Sequence, residues 1–284
     1  MGPRTFRCWG AAAACVVAVA PLAMAATYVQ EVSADTPDAW WRLGETSGTT
    51  ASDATGNGEN GTYTNGPSLG VPGAVAGDTA AGLDGIDDYV AIPNFPYRYG
   101  NTGSFTVEAW FQTTTGGVIF GYQNTPAFAI PGEYVPALYV DTAGLLRGKF
   151  WNLPQIITTA AVNDGVWHHV VIAVSGAGQQ TMYLDGAVVG TSSGTLDRLS
   201  MTYAQFGTGY TAAWQGGNGG WYSFNGAIDE AAFYGHALSS SRVQAHYLAA
   251  TAGVEVPEPR VLGLLAIVVA GAAAAVRGRT PTGR

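Results

Sequence analysis

From Ala39 to Gly235 the chain repeats one theme: short runs of alternating apolar residues, each broken by Gly, Asn, Asp or Pro. That rhythm suits antiparallel strands joined by tight turns, so it predicts an all-β sandwich. In FTVEAWFQ, Phe105, Val107, Ala109 and Phe111 share one face, while Thr106, Glu108, Trp110 and Gln112 share the other. WHHVVIAVS has little polarity after His169, which predicts a central strand partly covered on both faces. Asp185-Gly186 sits between two apolar runs, as a two-residue type I′ hairpin requires, because both turn residues need positive φ. One convincing helix is expected, over LSSSRVQAHYLAA, capped by Ser239 or Ser240, with Leu238, Val243 and Tyr247 packing back on the sandwich.

With 47% hydrophobic and 11% charged residues the chain is too apolar for disorder, and 284 residues with 40 glycines allow one large β body. All twenty acidic residues lie between Glu31 and Glu258, against six basic ones, a net charge of −14 for that window. Such a body repels nucleic acid and anionic lipid.

The two ends read differently. Residues 1–25 place Arg4 and Arg7 before an apolar run that closes on Ala23-Met24-Ala25, the pattern of a secretory signal peptide cleaved after Ala25. Cys8 and Cys15 both fall inside it, so the mature chain is expected to have no disulfide, thiolate metal site or Cys nucleophile. Residues 251–284 form a linker and a tail. There Val256-Pro257-Glu258-Pro259 precedes sixteen uncharged, mostly apolar residues, 261–276, and an end carrying Arg277, Arg279 and Arg284. Sixteen residues rise about 24 Å as a helix, a short transmembrane span if the flanking arginines snorkel. The basic tail then lies on the cytoplasmic side and the acidic body outside. This three-part order resembles the PEP-CTERM sorting signal of Gram-negative bacteria. The resemblance implies recognition by an exosortase and processing for surface display or release, and an ordinary single-span anchor would give the same topology.

Between these ends, residues 26–250, the strings AWWRLGETSGTTASDATGNGENGTY, LDGIDDYVAIP, FTVEAWFQ, WHHVVIAVSGAGQQTMYLDGAVVGT and GAIDEAAFYGHALSSSRVQAHY occur in the order seen in the laminin G-like, concanavalin A-like jelly-roll family. The resemblance implies an antiparallel two-sheet jelly roll of about a dozen strands, often with one calcium ion, whose members mostly bind glycans or proteins.

Catalytic motifs fare poorly. Laminarinase-like relatives carry Glu-x-Asp-x-(x)-Glu on one strand. The matching string here is Ala227-Ile228-Asp229-Glu230, with alanine in place of the first glutamate and, by alternation, Asp229 and Glu230 on opposite faces. Gly190-Thr191-Ser192-Ser193-Gly194 lacks the helix that a nucleophile elbow needs, and the Gly56–Gly61 GxGxxG match lacks a strand-turn-helix setting. His168 and His169 are adjacent on a strand and point apart, which prevents a shared metal; one packed and one surface histidine is the simpler reading.

Two features point to binding. Asp53-Ala54-Thr55-Gly56-Asn57-Gly58 sets oxygen side chains at alternate positions before a glycine turn, a geometry able to wrap Ca²⁺. The family resemblance would join Asp53 and Asn57 to Asp229 as ligands of a structural calcium; the alternatives are an Asx-rich surface turn and a buried, hydrogen-bonded Asp229. Seven aromatics between Tyr203 and Phe224 alternate with six glycines, which suits exposed rings stacking on sugars; Trp214, Trp221 and Tyr222 are the candidates, with Tyr97 and Tyr99 on the loop before FTVEAWFQ. The sequence therefore predicts an exported, surface-anchored, non-catalytic module for glycan or extracellular polysaccharide. The alternatives are an adhesive envelope protein with protein partners, and a polysaccharide-active enzyme with its site scattered over loops.

Overall fold

Alternating apolar residues become strands here because each run can bury one face against a second sheet. A computed structural model of the chain describes residues 27–252 apart from 101–102, 177 and 197–199. In chain order it contains α1 (Tyr28–Ala34), β1 (Ala39–Trp41), β2 (Thr50–Ala51), β3 (Gly61–Thr64), β4 (Ser68–Pro72), β5 (Thr79–Asp84), β6 (Tyr89–Ile92) and α2 (Phe95–Arg98). Then follow β7 (Phe105–Thr113), β8 (Gly117–Gln123), β9 (Tyr134–Val140), β10 (Leu145–Gly148), β11 (Ile156–Ala161) and β12 (His168–Val174). The last elements are β13 (Gln179–Leu184), β14 (Ala187–Ser193), β15 (Tyr203–Phe206), β16 (Asn225–Tyr234) and α3 (Ser240–Thr251). The expected signal peptide and the 261–276 span lie outside the described residues, and no helix among those described is long and apolar enough to cross a membrane.

The strands form two antiparallel sheets of eight. One runs β14-β13-β12-β7-β16-β5-β4, with β1 also paired to β16; the other runs β11-β10-β9-β8-β15-β6-β3-β2. The sixteen strands among the described residues exceed the dozen that the family resemblance implied, the count including edge pieces as short as the two-residue β2. The main core lies between the sheets, where Phe120 and Phe233 meet at 5.2 Å and Phe105 and Phe150 at 4.7 Å between ring centres. β12 is central and buried on both faces, as its composition suggests. Asp185 and Gly186 take φ 51 and 76, the pair of positive values that the I′ hairpin between β13 and β14 demands.

The outer face of the first sheet carries a second apolar cluster. Trp40, Trp110, Val171 and Tyr234 from the strands pack under Tyr28 and Val32 of α1, Val243 of α3 and Leu238 just before that helix. Ser239 caps α3 as expected, and Tyr247 stacks on Trp110 at 5.9 Å. Helix α1 escaped sequence reading: seven residues with a Thr27/Gln30 capping box present too short a period to stand out.

The long β15–β16 connection folds back over the outer face of the second sheet. Tyr139 donates to the Gln215 carbonyl at 2.6 Å, Thr142 N–H to Gly216 and Val118 N–H to Tyr222. Gly117 makes that crossing possible: at φ 132, a Cβ there would stand 2.4 Å from Phe224 Cα, a backbone atom that cannot give. Gly117→Ala is expected to cost about 1–3 kcal/mol, read as a lowered melting temperature, by prising the connection off the sheet.

Candidate ligand-binding cleft

Residues of β10 alternate between the core and this covered outer face. Gly148 faces inward, where a Cβ would meet Met182 and Leu138, so Arg147 and Lys149 project outward. Arg147 donates to Asp141 Oδ2 at 2.6 Å and to Gln155 Oε1 at 2.9 Å, and Gln155 Nε2 donates to the Tyr139 hydroxyl at 2.7 Å. These bonds make a rigid polar floor. Beside it opens a cleft of about 540 Å³, within the range of small-ligand sites, walled by Glu133, Tyr134, Lys149, Trp151, Gln155 and Trp214.

Tyr134, Trp151 and Trp214 give the walls their aromatic surface. Trp151, on the β10–β11 connection, is 40% exposed and lies 6.5 Å from Trp214, its ring tilted by 45°. Lys149 Nζ sits 4.4 Å over the Trp214 ring, a cation–π contact, and burial lowers the Lys149 pKa below its ordinary value. Such walls can stack on a sugar ring while the amides and the ammonium take its oxygens. Glu133 is the one carboxylate among the described residues lining the cleft, whereas glycoside hydrolysis ordinarily uses two.

The sequence-expected aromatics separate. Trp214 lines the cleft but is only 9% exposed, because Trp151 and Lys149 cover it; the ring expected to be exposed is an edge of the core. Trp221 packs with Phe128 at 5.1 Å and Tyr210 at 5.6 Å, and Tyr210 in turn meets the cleft residue Tyr134 at 4.9 Å. Tyr222 turns toward the main core. Tyr99 stacks inward on Phe105 and donates to Asp38 at 2.7 Å, and α2 replaces the loop expected at its approach. The side chain of Tyr97 lies outside the described residues. Trp151 went unnoticed in the sequence because a lone Trp in FWNLP carries no pattern.

The carboxylates also differ from expectation. Asp229 pairs with Trp110 but Ala232 with Glu108, so a bulge sets Glu230 and Ala231 against one partner residue, with Glu230 at φ 50. The bulge breaks the alternation that would have put Asp229 and Glu230 on opposite faces. Both instead converge on Arg42 and the turn between β4 and β5: Asp229 accepts from Ala74 N–H at 2.8 Å, and Glu230 accepts from Trp40 Nε1 at 2.7 Å and Arg42 Nε at 3.3 Å. Asp78 closes the group through Arg42. Burial, reinforced by neighbouring carboxylates, pushes both pKa values up. Neither side chain reaches solvent, so this pair has no access to a polysaccharide.

Of the residues expected to hold calcium, Asp53 fits poorly. Its two oxygens accept from Trp40 N–H at 3.1 Å, Thr55 N–H at 3.0 Å, Thr55 Oγ1 at 2.8 Å and Glu59 N–H at 3.1 Å. Those donors outweigh its partial burial and hold its pKa below the usual range. Asn57 donates its amide to the Asp38 carbonyl, while Asp229 serves the separate group around Arg42. The loop is organised as an Asx turn that ties its own backbone to β1. Asp84, Asp87 and Asp88 also gather at the β5–β6 turn, where two of their carboxylates accept backbone N–H groups of that same turn.

A further polar cluster is sealed beneath the helices. Glu108, His169 and His246 are fully buried; Glu108 accepts from His169 Nε2 at 2.8 Å, Tyr234 at 2.6 Å and Tyr28 at 3.2 Å, and pairs with His246 at 3.0 Å. His169 is thus the packed histidine, while His168 bridges Asp164 and Asp185 nearer the surface.

Compared with known families, residues 84–244 match the Laminin G-3 profile, described as the concanavalin A-like lectin/glucanases superfamily. The chain belongs to that superfamily. Its two antiparallel sheets are those of a concanavalin A-like sandwich, and solved structures agree. Domain 4 of AbnA, a GH43 extracellular arabinanase from Geobacillus stearothermophilus, in complex with arabinotriose, matches with a TM-score of 0.51 and 18% identity over 74% of this chain and 98% of that one. Trypanosoma rangeli sialidase in complex with the inhibitor DANA matches at 0.54 and 15% identity over 76% of this chain, which spans only 33% of the sialidase. The binding domain of Paraclostridial Mosquitocidal Protein 1 matches at 0.51 and 16% identity, over 74% of this chain and 52% of that one. At such identities the likeness is one of fold. No curated protein matches the sequence significantly.

Proposed function

We propose that the chain is an exported, surface-displayed, non-catalytic carbohydrate-binding protein whose glycan lies in the cleft beside Trp151. The observation that carries this reading is an exposed tryptophan next to a second indole, over a hydrogen-bonded floor, in a cleft of about 540 Å³. Membership of the superfamily supports it, as does the arabinotriose bound by the similarly folded arabinanase domain. The non-catalytic part rests on the single carboxylate that lines the cleft among the described residues and on the burial of Asp229 and Glu230.

Export rests on the N-terminal signal, and display on the Val256–Pro259 motif, the 261–276 span and the arginines after it, read as substrates of an exosortase. Screening the purified chain on a glycan array tests the binding. Capture of a glycan without release of product is the expected result, and cleavage of the captured glycan would replace the reading with an enzyme.

Calcium stands apart from the cleft. Asp53→Ala is expected to lower the melting temperature by the same amount with calcium and with chelator, because its carboxylate serves its own loop. A calcium-dependent rise in melting temperature that this variant abolishes would restore Asp53 as an ion ligand.

A further inference from the structure

Charge within the cleft narrows the kind of glycan it takes. Among the described residues every arginine has an acidic partner: Arg42 with Asp78 and Glu230, Arg98 with Glu59, Arg147 with Asp141, and Arg242 with Glu31 and Asp35. Lys149 alone among the described lysines and arginines has no described carboxylate within ion-pair distance, although it sits in a body whose acids far outnumber its bases. Its stem and ammonium lie against Trp214, half-buried, with the Nζ at the cleft wall. A desolvated ammonium without an anion is costly to keep. The contact with an indole face offsets only part of that cost.

We propose that the cleft takes a glycan bearing an isolated acidic group, a carboxylate or sulfate on one sugar residue, and that Lys149 receives this group while Trp151 stacks on an adjoining ring. This inference rests on the carbohydrate-binding reading and adds the ligand's charge to it. Isolation of the acid follows from the surroundings. Glu133 is exposed at the same cleft, and the body is strongly acidic, so a chain with an acid on every residue is repelled at distances within the screening length of about 8 Å. One anion placed on Lys149 avoids that repulsion and forms a charge-assisted hydrogen bond.

Calorimetric titration of the purified full chain tests the proposal with matched probes. One pair is a xylo-oligosaccharide carrying a single glucuronate and the same molecule after carboxyl reduction. The second pair is a galacto-oligosaccharide carrying a single 6-sulfate and its desulfated form. At least one acidic probe is expected to bind about tenfold tighter than its neutral partner, the gain of one charge-assisted hydrogen bond after desolvation, and the pair that responds identifies carboxylate or sulfate. Lys149→Met keeps the stem on Trp214 and should erase the preference, whereas Glu133→Gln should strengthen acidic binding. Salt supplies a reading that needs no variant, since raising it should weaken the acidic probes and spare the neutral ones.

Equal binding of acidic and neutral partners, lost in Trp151→Ala, would overturn the inference and leave the carbohydrate-binding reading standing. An acid preference unchanged in a folded Lys149→Met would overturn it too. If no probe binds and the glycan array is empty as well, the carbohydrate-binding reading falls and this inference falls with it.

Discussion

Glu108→Ala is expected to cost about 3–5 kcal/mol of folding stability, because it leaves buried donors and a buried histidine without their shared acceptor. Tyr28, Tyr234, His169 and His246 all direct polar hydrogens at this one carboxylate from α1, β16, β12 and α3. His246 continues through Nε2 to Asp35 at 2.8 Å, and Asp35 is held by Arg242 of α3. The carboxylate is therefore the clasp that fixes both helices to the first sheet. At about 2–4 °C per kcal/mol for a domain of this size, the melting temperature should fall by roughly 10 °C.

The same clasp gives a pH signature. Burial alone would push the Glu108 carboxyl up, but the charge of His246 and the hydrogen bonds from both histidines outweigh it and hold it well below the usual range. Its contribution is present above the unfolded value near 4.5 and is lost as pH falls through the depressed folded value. Burial opposes the His246 charge, yet the Glu108 partner raises its pKa above 6.5. That contribution is complete below 6.5 and is lost as pH rises through the raised folded value. Thermal melts of the parent should thus weaken on both sides of a mildly acidic plateau, and Glu108→Gln should flatten the profile. A Glu108→Ala chain that melts like the parent would show that the helices need no clasp.

Much of the sandwich was legible because FTVEAWFQ alternates its residues between two faces, WHHVVIAVS is apolar enough for a central strand covered on both sides, and Asp185-Gly186 states its turn chemistry outright. What alternation hides is a change of phase. The bulge at Glu230 moves Ala231 and Phe233 into the core after Ile228, so the two neighbouring carboxylates meet instead of parting. Glu108 read as one polar residue on a polar face, since its partners on α1 and α3 lie 80 and 138 residues away. The Gly-spaced aromatics did mark the segment that builds one cleft wall, but ring exposure depends on what folds over each ring. Trp214 is covered and Trp151, from a different connection, is the open face.

Trp151→Ala is expected to weaken binding of a captured glycan about thirtyfold or more, the loss typical of an aromatic hot spot at about 2 kcal/mol. The ring is 40% exposed and stands outside both hydrophobic clusters, so its removal should leave the melting temperature within about 2 °C of the parent. Trp214→Ala makes the contrast: at 9% exposure that ring supports the core edge, and its loss should reduce both binding and stability, the latter by about 3 kcal/mol. The direct measurement is a calorimetric titration of the captured glycan into the parent and into Trp151→Ala, with the melting temperature of each recorded alongside. The dissociation constant should rise about thirtyfold in the variant at unchanged stability. An unaltered dissociation constant in folded Trp151→Ala would contradict the placement of the glycan in this cleft.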